Sequence, residues 1–170
     1  MATFLDMAKE RFSVRKFSEQ AIEPEKLAQI LEAGRIAPTA HNEQPQRIKV
    51  ITAADELAKV DECTRCRFGA PTVLFVCYDK DVCWKRPFDS APSGEIDASI
   101  VTTHMMLTAQ DLGLGTCWVM FFDPEKAIEQ FALPENIIPV AMMPVGYLAD
   151  DAAPSKLHGS RLEIESILLN

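Results

Sequence analysis

The spacing of apolar positions changes along the chain, and each change predicts an element. Phe4, Leu5, Met7, Ala8 and Phe12 follow a helical period and predict a first amphipathic helix that runs into the segment Arg11-Phe12-Ser13-Val14-Arg15-Lys16-Phe17. A second helix is expected from Pro24, a good first helical residue, with Glu23 and Glu25 at its positive end; it buries Leu27, Ile30 and Leu31 and ends near Pro38. A polar loop, 38–46, leads to a short strand at 48–51. Thr52, with Asp55 three residues on, is expected to cap a third helix through about Glu62. Residues 72–78, Thr-Val-Leu-Phe-Val-Cys-Tyr, have the length and β-branched content of a buried strand. An irregular stretch follows from 79 to 94, and long loops of this kind are often functional.

The fourth helix, about Ile96 to Leu112, is the longest and carries Ile96, Ile100, Thr103, Met106, Leu107 and Ala109 at near-helical spacing, so a central position is expected. Gly113-Leu114-Gly115 closes it. A strand at 117–121, a short helix opened by Asp123-Pro124 and running to Phe131, and a last strand at 140–147 around Pro144 complete the series. A loop-like basic tail at 152–161 precedes a closing segment at 162–167. Four strands among about five helices give an α+β layer fold, and 170 residues without repeats or linkers suit one domain, 1–170.

Composition narrows the function. Twenty-five acidic against seventeen basic residues leave a net charge of −8 and a pI near 4.9, so the overall field repels nucleic acid and anionic lipid, and neither is expected as a partner. No apolar run approaches the roughly 20 residues of a spanning helix, and residues 1–6 lack the basic and apolar regions of a signal peptide, so the chain reads as cytoplasmic.

Against that charge, Arg11, Ser13 and Arg15 stand at two-residue steps. In an extended chain they share one side and can converge on a phosphate, which guanidinium groups grip through paired hydrogen bonds. Lys156 and Arg161 form a second basic cluster at the other end. The two clusters either hold an anion between them or pair with the chain's own carboxylates, and charge alone does not choose.

The five cysteines, Cys63, Cys66, Cys77, Cys83 and Cys117, are expected to be reduced. Cys63 and Cys66 have redox spacing but trail a helix, where the dipole disfavours a thiolate, and no His pair completes a metal set. His104 reads as a hydrogen-bonded core residue, whereas His41 and His158 lie in loops from which either can reach a ligand. Gly113-Leu114-Gly115 leaves a helix rather than opening one, unlike a dinucleotide fingerprint, so it reads as a C-terminal cap. No nucleophile-elbow serine is present. A cofactor that brings its own chemistry is the economical expectation.

Taken in order, residues 11–17, then Ala37-Pro38-Thr39-Ala40-His41-Asn42-Glu43-Gln44-Pro45, then Ile96-Asp97-Ala98-Ser99 opening the long helix to Asp111-Leu112-Gly113-Leu114-Gly115-Thr116-Cys117-Trp118, resemble the nitroreductase family of FMN enzymes. The resemblance spans residues 4–168. It implies a homodimer around a central mixed or antiparallel sheet flanked by helices, with two FMN sites at the interface and NAD(P)H as electron donor. It further implies that Arg11, Phe12, Ser13 and Arg15 hold phosphate and ribityl oxygens and that Arg161 and Lys156 close on the phosphate. Pro38, Thr39, Ala40, Asn42 and Gln44 would reach the flavin of the partner chain, and backbone at Cys117, Trp118, Val119 and Met120 would lie beside the ring, offering an N–H to its N5. The implied reaction is ping-pong hydride transfer to nitroaromatic, quinone or similar acceptors, with no catalytic side chain and no metal. Alternatives are a protein that stores or senses FMN without turnover, and a specialised flavin enzyme such as a reductive dehalogenase. The chain departs from the family pattern at Gln46, where many relatives carry an aromatic residue, at Met120, where many have a small one, and in its short tail after Arg161.

Overall fold

The structure, a computed structural model, describes residues 3–169. Helix α1 (Phe4–Glu10) is held by a capping box: the Asp6 N–H donates to Thr3 Oγ1 at 3.2 Å, and the Thr3 N–H donates to the Asp6 carboxylate at 2.9 Å. It ends earlier than its apolar period suggested. Arg11 is already extended, at φ −60° and ψ 129°, and Phe12 packs beside Val14 and Phe68 rather than on the helix. Helix α2 (Pro24–Ile36) begins on its proline and stops one residue before the Ala37-Pro38 pair.

Strands β1 (Gln46–Ile51), β2 (Thr72–Asp79), β3 (Gly115–Thr116) and β4 (Ile137–Gly146) form one sheet in the order β1-β2-β4-β3, every pairing antiparallel. Helices α3 (Ala54–Cys63), α4 (Gly94–Asp111) and α5 (Pro124–Gln130) complete the α+β fold. All eight residues of β2 are buried, and their alternation sorts the two cores. Leu74, Val76 and Tyr78 pack with Ile30 of α2 and Val101 and Met105 of α4, whereas Val73, Phe75 and Cys77 pack with Val60 of α3 and Ala127 of α5. The sheet is therefore covered on both faces, and β2 with β4 is its spine.

Three local expectations are corrected. Thr52 does not cap α3: the N-cap is Ala53, which makes no side-chain bond, because the helix opens one residue later than a Thr52 cap requires. The strand expected at 117–121 is shorter and earlier. Cys117 lies opposite Pro144 and donates to its carbonyl at 3.2 Å, but Pro144 has no N–H to return, so the ladder breaks there and resumes only as a bridge between Val119 and Met142. His104 is exposed on α4, its Nδ1 bonded to the Ile100 carbonyl at 2.9 Å, and is not a core residue. The apolar sequence of α4 hid this, since the face turned to the sheet is Ala98, Val101, Thr102, Met105 and Ala109, while Ile96 is 65% exposed on the other side.

Asp123 caps α5 by accepting the Lys126 N–H at 3.0 Å. Gly113 ends α4 at φ 76°, where the left-handed backbone lets Leu114 N–H reach the Ala109 carbonyl at 2.8 Å. At the start of β1 the Gln46 Oε1 atom is buried and has no hydrogen-bond partner among the described residues. Gln46→Leu is expected to raise stability by about 1 kcal/mol, as a buried acceptor is removed; a urea midpoint at or below the parent's would contradict this.

Candidate functional site

The basic segment is sewn to the sheet edge. The Val14 N–H donates to the Thr116 carbonyl at 2.9 Å, Ser13 bridges Thr116 in parallel, and Phe17 bridges Leu148. Val14, 1% exposed, anchors the strand inward. Gly115 permits the approach, since a Cβ there would lie 2.5 Å from Val14 Cγ2. Alternation then turns Arg11, Ser13 and Arg15 together to the other side.

The tail closes over them. Arg11, Phe12, Ser13, Arg15, Ser155, Leu157, His158 and Arg161 line a cavity of about 160 Å³. His158 fastens the tail, its Nε2 donating to the Lys9 carbonyl at 3.2 Å and its ring standing edge-on to Phe12 at 6.1 Å. Lys156 is exposed and does not line the cavity, and Lys16 is paired with Asp151. The expectation that Lys156 closes on a phosphate is thus not met in the single chain, because His158 and Ser155 take the inward positions of this turn. Ser155 carried no signal in the sequence beyond its place in a basic loop.

Ion pairing separates the two readings of these cations. Arg35, Arg47, Arg67 and Arg86 each have a carboxylate partner, namely Glu32, Asp79, Asp61 and Asp89. Among the described residues Arg11, Arg15 and Arg161 have none: Arg15 donates to the Ser13 carbonyl at 3.3 Å and Arg161 to the carbonyls of His158 and Ser160. In a chain of net charge −8, three guanidinium groups gathered without a carboxylate are able to receive an external anion. This donor set, two-pronged and with a hydroxyl between, fits a phosphate ester.

The loop of residues 38–44 is a separate construction. His41, Asn42 and Gln44 all have positive φ, at 53°, 57° and 51°, a conformation that non-glycine residues hold only when surrounding bonds enforce it. Those bonds are present. Thr39 Oγ1 accepts the Gln44 N–H at 3.1 Å, its carbonyl accepts the Asn42 N–H at 3.0 Å, and Asp97 of α4 accepts the Ala40 N–H at 2.8 Å. The His41 ring is engaged with Glu43 at 2.9 Å. Pro38, Thr39, Ala40, Asn42 and Gln44 contribute nothing to the arginine cavity of their own chain.

Beyond β3, the N–H groups of Cys117 and Val119 are spent on β4. Those of Trp118 and Met120 alternate to the other side and have no protein acceptor among the described residues. Met120 and Phe121 are 71% and 65% exposed, and with Cys63, Phe122 and Asp123 they line a second cavity of about 370 Å³.

All five cysteines are free. Burial pushes the Cys63, Cys117 and Cys77 thiols up, the last to about 12, and for Cys117 the nearby Arg15 and Ser13 only partly offset this. Cys63 is the last residue of α3, the end of the helix that disfavours a thiolate. Replacing Cys63 and Cys66 together with serine is therefore expected to leave any redox turnover of the protein within about threefold of the parent; near-total loss in a folded variant would make the pair an electron relay.

Comparison with known proteins bears on the fold and the family. The sequence profile of the nitroreductase family matches residues 8–68 and 65–147. A nitroreductase family protein of Clostridium difficile 630 superposes with a TM-score of 0.92 at 38% identity, over 99% of this chain and 98% of that one. A relative from Archaeoglobus fulgidus, provisionally named an NADH dehydrogenase/NAD(P)H nitroreductase, is 31% identical across 89% of this chain and 88% of its own. The FMN reductase (NAD(P)H) of Bacillus subtilis strain 168 is 27% identical over 83% of this chain and 64% of its own. With the profile covering most of the chain, the arginine cradle and the left-handed loop belong to a member of the nitroreductase family.

Proposed function

We propose that this protein is an FMN-dependent oxidoreductase that takes electrons from NAD(P)H and passes them to a small nitroaromatic, quinone or similar acceptor in a ping-pong cycle. The observation that carries this reading is the convergence of Arg11, Arg15 and Arg161 around Ser13 with no carboxylate among them. The names of the relatives, an FMN reductase and an NAD(P)H nitroreductase, support the choice of cofactor and donor. When bound, FMN supplies the hydride chemistry.

The residues of the chain do the rest. Arg11, Ser13, Arg15 and Arg161 would hold the phosphate, with His158 keeping the tail in place. Trp118 and Met120 offer the backbone N–H groups that remain free for the ring edge, which narrows the expectation of residues 117–120 to two donors. The loop of residues 38–44 is read as reaching the second site of a two-fold dimer, since it lies outside its own chain's cradle. Exposed apolar side chains at Phe4, Leu5 and Ile96, and at Leu162, Ile164, Ile167 and Leu168 of the tail, supply surface for that pairing.

The test is direct. Purified protein reconstituted with FMN is expected to show flavin absorbance bands, to oxidise NAD(P)H continuously with a quinone or nitroaromatic acceptor, and to scatter light as a particle of about twice the 18.9 kDa chain mass. Absence of the bands after reconstitution rejects the cofactor. Bands without turnover would make the protein an FMN store or sensor, and a monomer that binds FMN tightly would reject the shared site.

A further inference from the structure

We infer that Asp97 is the positioning residue for the ring side of the flavin site, acting by latching the loop of residues 38–44 in its left-handed conformation. The inference rests on reading that loop as a flavin contact.

Asp97 is 1% exposed and is one of few buried polar residues in the described chain. Its two carboxylate oxygens are divided between elements: Oδ1 accepts the Ala40 N–H at 2.8 Å, across 57 positions of sequence, and Oδ2 accepts the Ser93 hydroxyl at 2.6 Å. The Asp97 N–H in turn donates to the Ser93 carbonyl at 2.8 Å, and the Ser93 N–H to the Trp84 carbonyl at 2.8 Å. Asp97 lies in the first turn of α4, where the helix dipole favours an acidic group, so its burial has a local compensation. The first turn is itself fixed, because Gly94 lies against the Tyr78 ring of β2. Position is thereby passed from the central strand to the helix end and, through Asp97, to Ala40.

The loop has need of that anchor. Its other backbone N–H bonds, from Gln44 to Thr39 Oγ1, Asn42 to the Thr39 carbonyl and Glu43 to the Ala40 carbonyl, are internal and close the loop upon itself, while at its far end the Gln44 carbonyl accepts from the Arg47 guanidinium of β1 at 3.2 Å. Of the bonds made by its backbone N–H groups, only that of Ala40 leaves the loop. Without it the turn is held only at its Gln44 end, and the part from Ala40 to Asn42 can swing away from α4, carrying Asn42 out of register. A residue needed only for the packing of α4 would have no reason to reach past Ser93 to a backbone donor on another element.

Three variants test the latch, each read by FMN affinity and absorbance spectrum in the holoprotein and by amide exchange in the apoprotein. Asp97→Leu removes the acceptor and introduces a larger, apolar side chain. Ala40→Pro removes the donor and leaves Asp97 and Ser93 unchanged; Thr39 at φ −131° and ψ 155° already has the extended backbone that precedes a proline, and Ala40 opens a 3-10 turn, where a proline is tolerated. Asp97→Asn can still accept from Ala40 and can donate its amide to Ser93. The first two are expected to speed exchange at Asn42 and Gln44, whose own partners are untouched, and to weaken FMN binding by about tenfold or more with a changed band shape. Asp97→Asn is expected to stay within about threefold of the parent.

If Asp97→Leu does not fold, Ala40→Pro decides alone. Unchanged exchange at Asn42 and Gln44 in a folded variant overturns the latch, and faster exchange with unaltered FMN affinity and spectrum overturns its link to the flavin. If the parent itself takes up no FMN, the proposed function fails while the exchange measurement still decides whether Asp97 holds the loop.

Discussion

Arg11→Ala is expected to weaken FMN binding by at least about tenfold, the largest loss from any single side chain of the cradle. A hydrogen bond to a charged partner contributes roughly 1.5–3 kcal/mol, and about 1.4 kcal/mol is a factor of ten. Arg11 is half-buried, so its interaction with a phosphate is less screened than one at the open surface. It also touches no carboxylate among the described residues that would compete for it in the free protein. Arg15 is exposed, and Arg15→Ala is expected to cost less. Arg35 supplies the control: it is paired with Glu32 on α2 at 2.6 Å, and Arg35→Ala should leave affinity unchanged. Fluorescence titration of the apoprotein with FMN measures all three. Parent-like affinity in Arg11→Ala would remove the phosphate from the cradle.

Gly94→Ala is expected to destabilise the fold by about 1–3 kcal/mol through overpacking, and more if the ring cannot yield. An added Cβ would stand 2.1 Å from Tyr78 Cδ2, 2.2 Å from Cε2 and 2.6 Å from Cγ. The ring cannot retreat easily, because Tyr78 lies in β2 between Gln46 of β1 and Ile138 of β4. The start of α4 would have to move instead, and Asp97 would move with it. Urea denaturation reads the stability, and FMN titration of the folded fraction reads the displaced loop. Adding Tyr78→Leu should recover part of both losses, a coupling that unrelated sites would not show. A Gly94→Ala protein as stable as the parent would mean that helix and strand do not meet this closely.

Much of the fold was legible because its signals are local. The β-branched run at 72–78 became β2, Asp123-Pro124 capped α5, and Gly113 took the left-handed backbone that ends α4. Apart from the Thr52 cap, which missed by one residue, the misplaced features depended on a distant partner. Val119 bridges Met142, but the strand around it is broken by Pro144, some 25 positions further along the chain. His104 read as core because α4 is apolar on more than one face, and only the position of the sheet decides which face is buried.

The candidate site divides in the same way. The two-residue spacing of Arg11, Ser13 and Arg15 was visible, and with it the possibility of a shared side. Whether those cations meet a ligand or the chain's own acids was not, since that depends on where every carboxylate comes to lie.

By itself, then, the sequence determined the helices and central strands, the glycine and proline boundaries, and the basic segment with its alternating side chains. These follow from the period of apolar residues and from the φ that glycine and proline allow, which each stretch carries with it. Only the tertiary structure brought Arg161 to Arg11, tied Ser13 to Thr116, turned Lys156 outward in favour of His158, and joined Asp97 to Ala40. Such contacts join residues tens to hundreds of positions apart, and each is selected by the packing of the whole sheet and its helices, because no local propensity records which distant group will be there to accept a hydrogen bond or a charge.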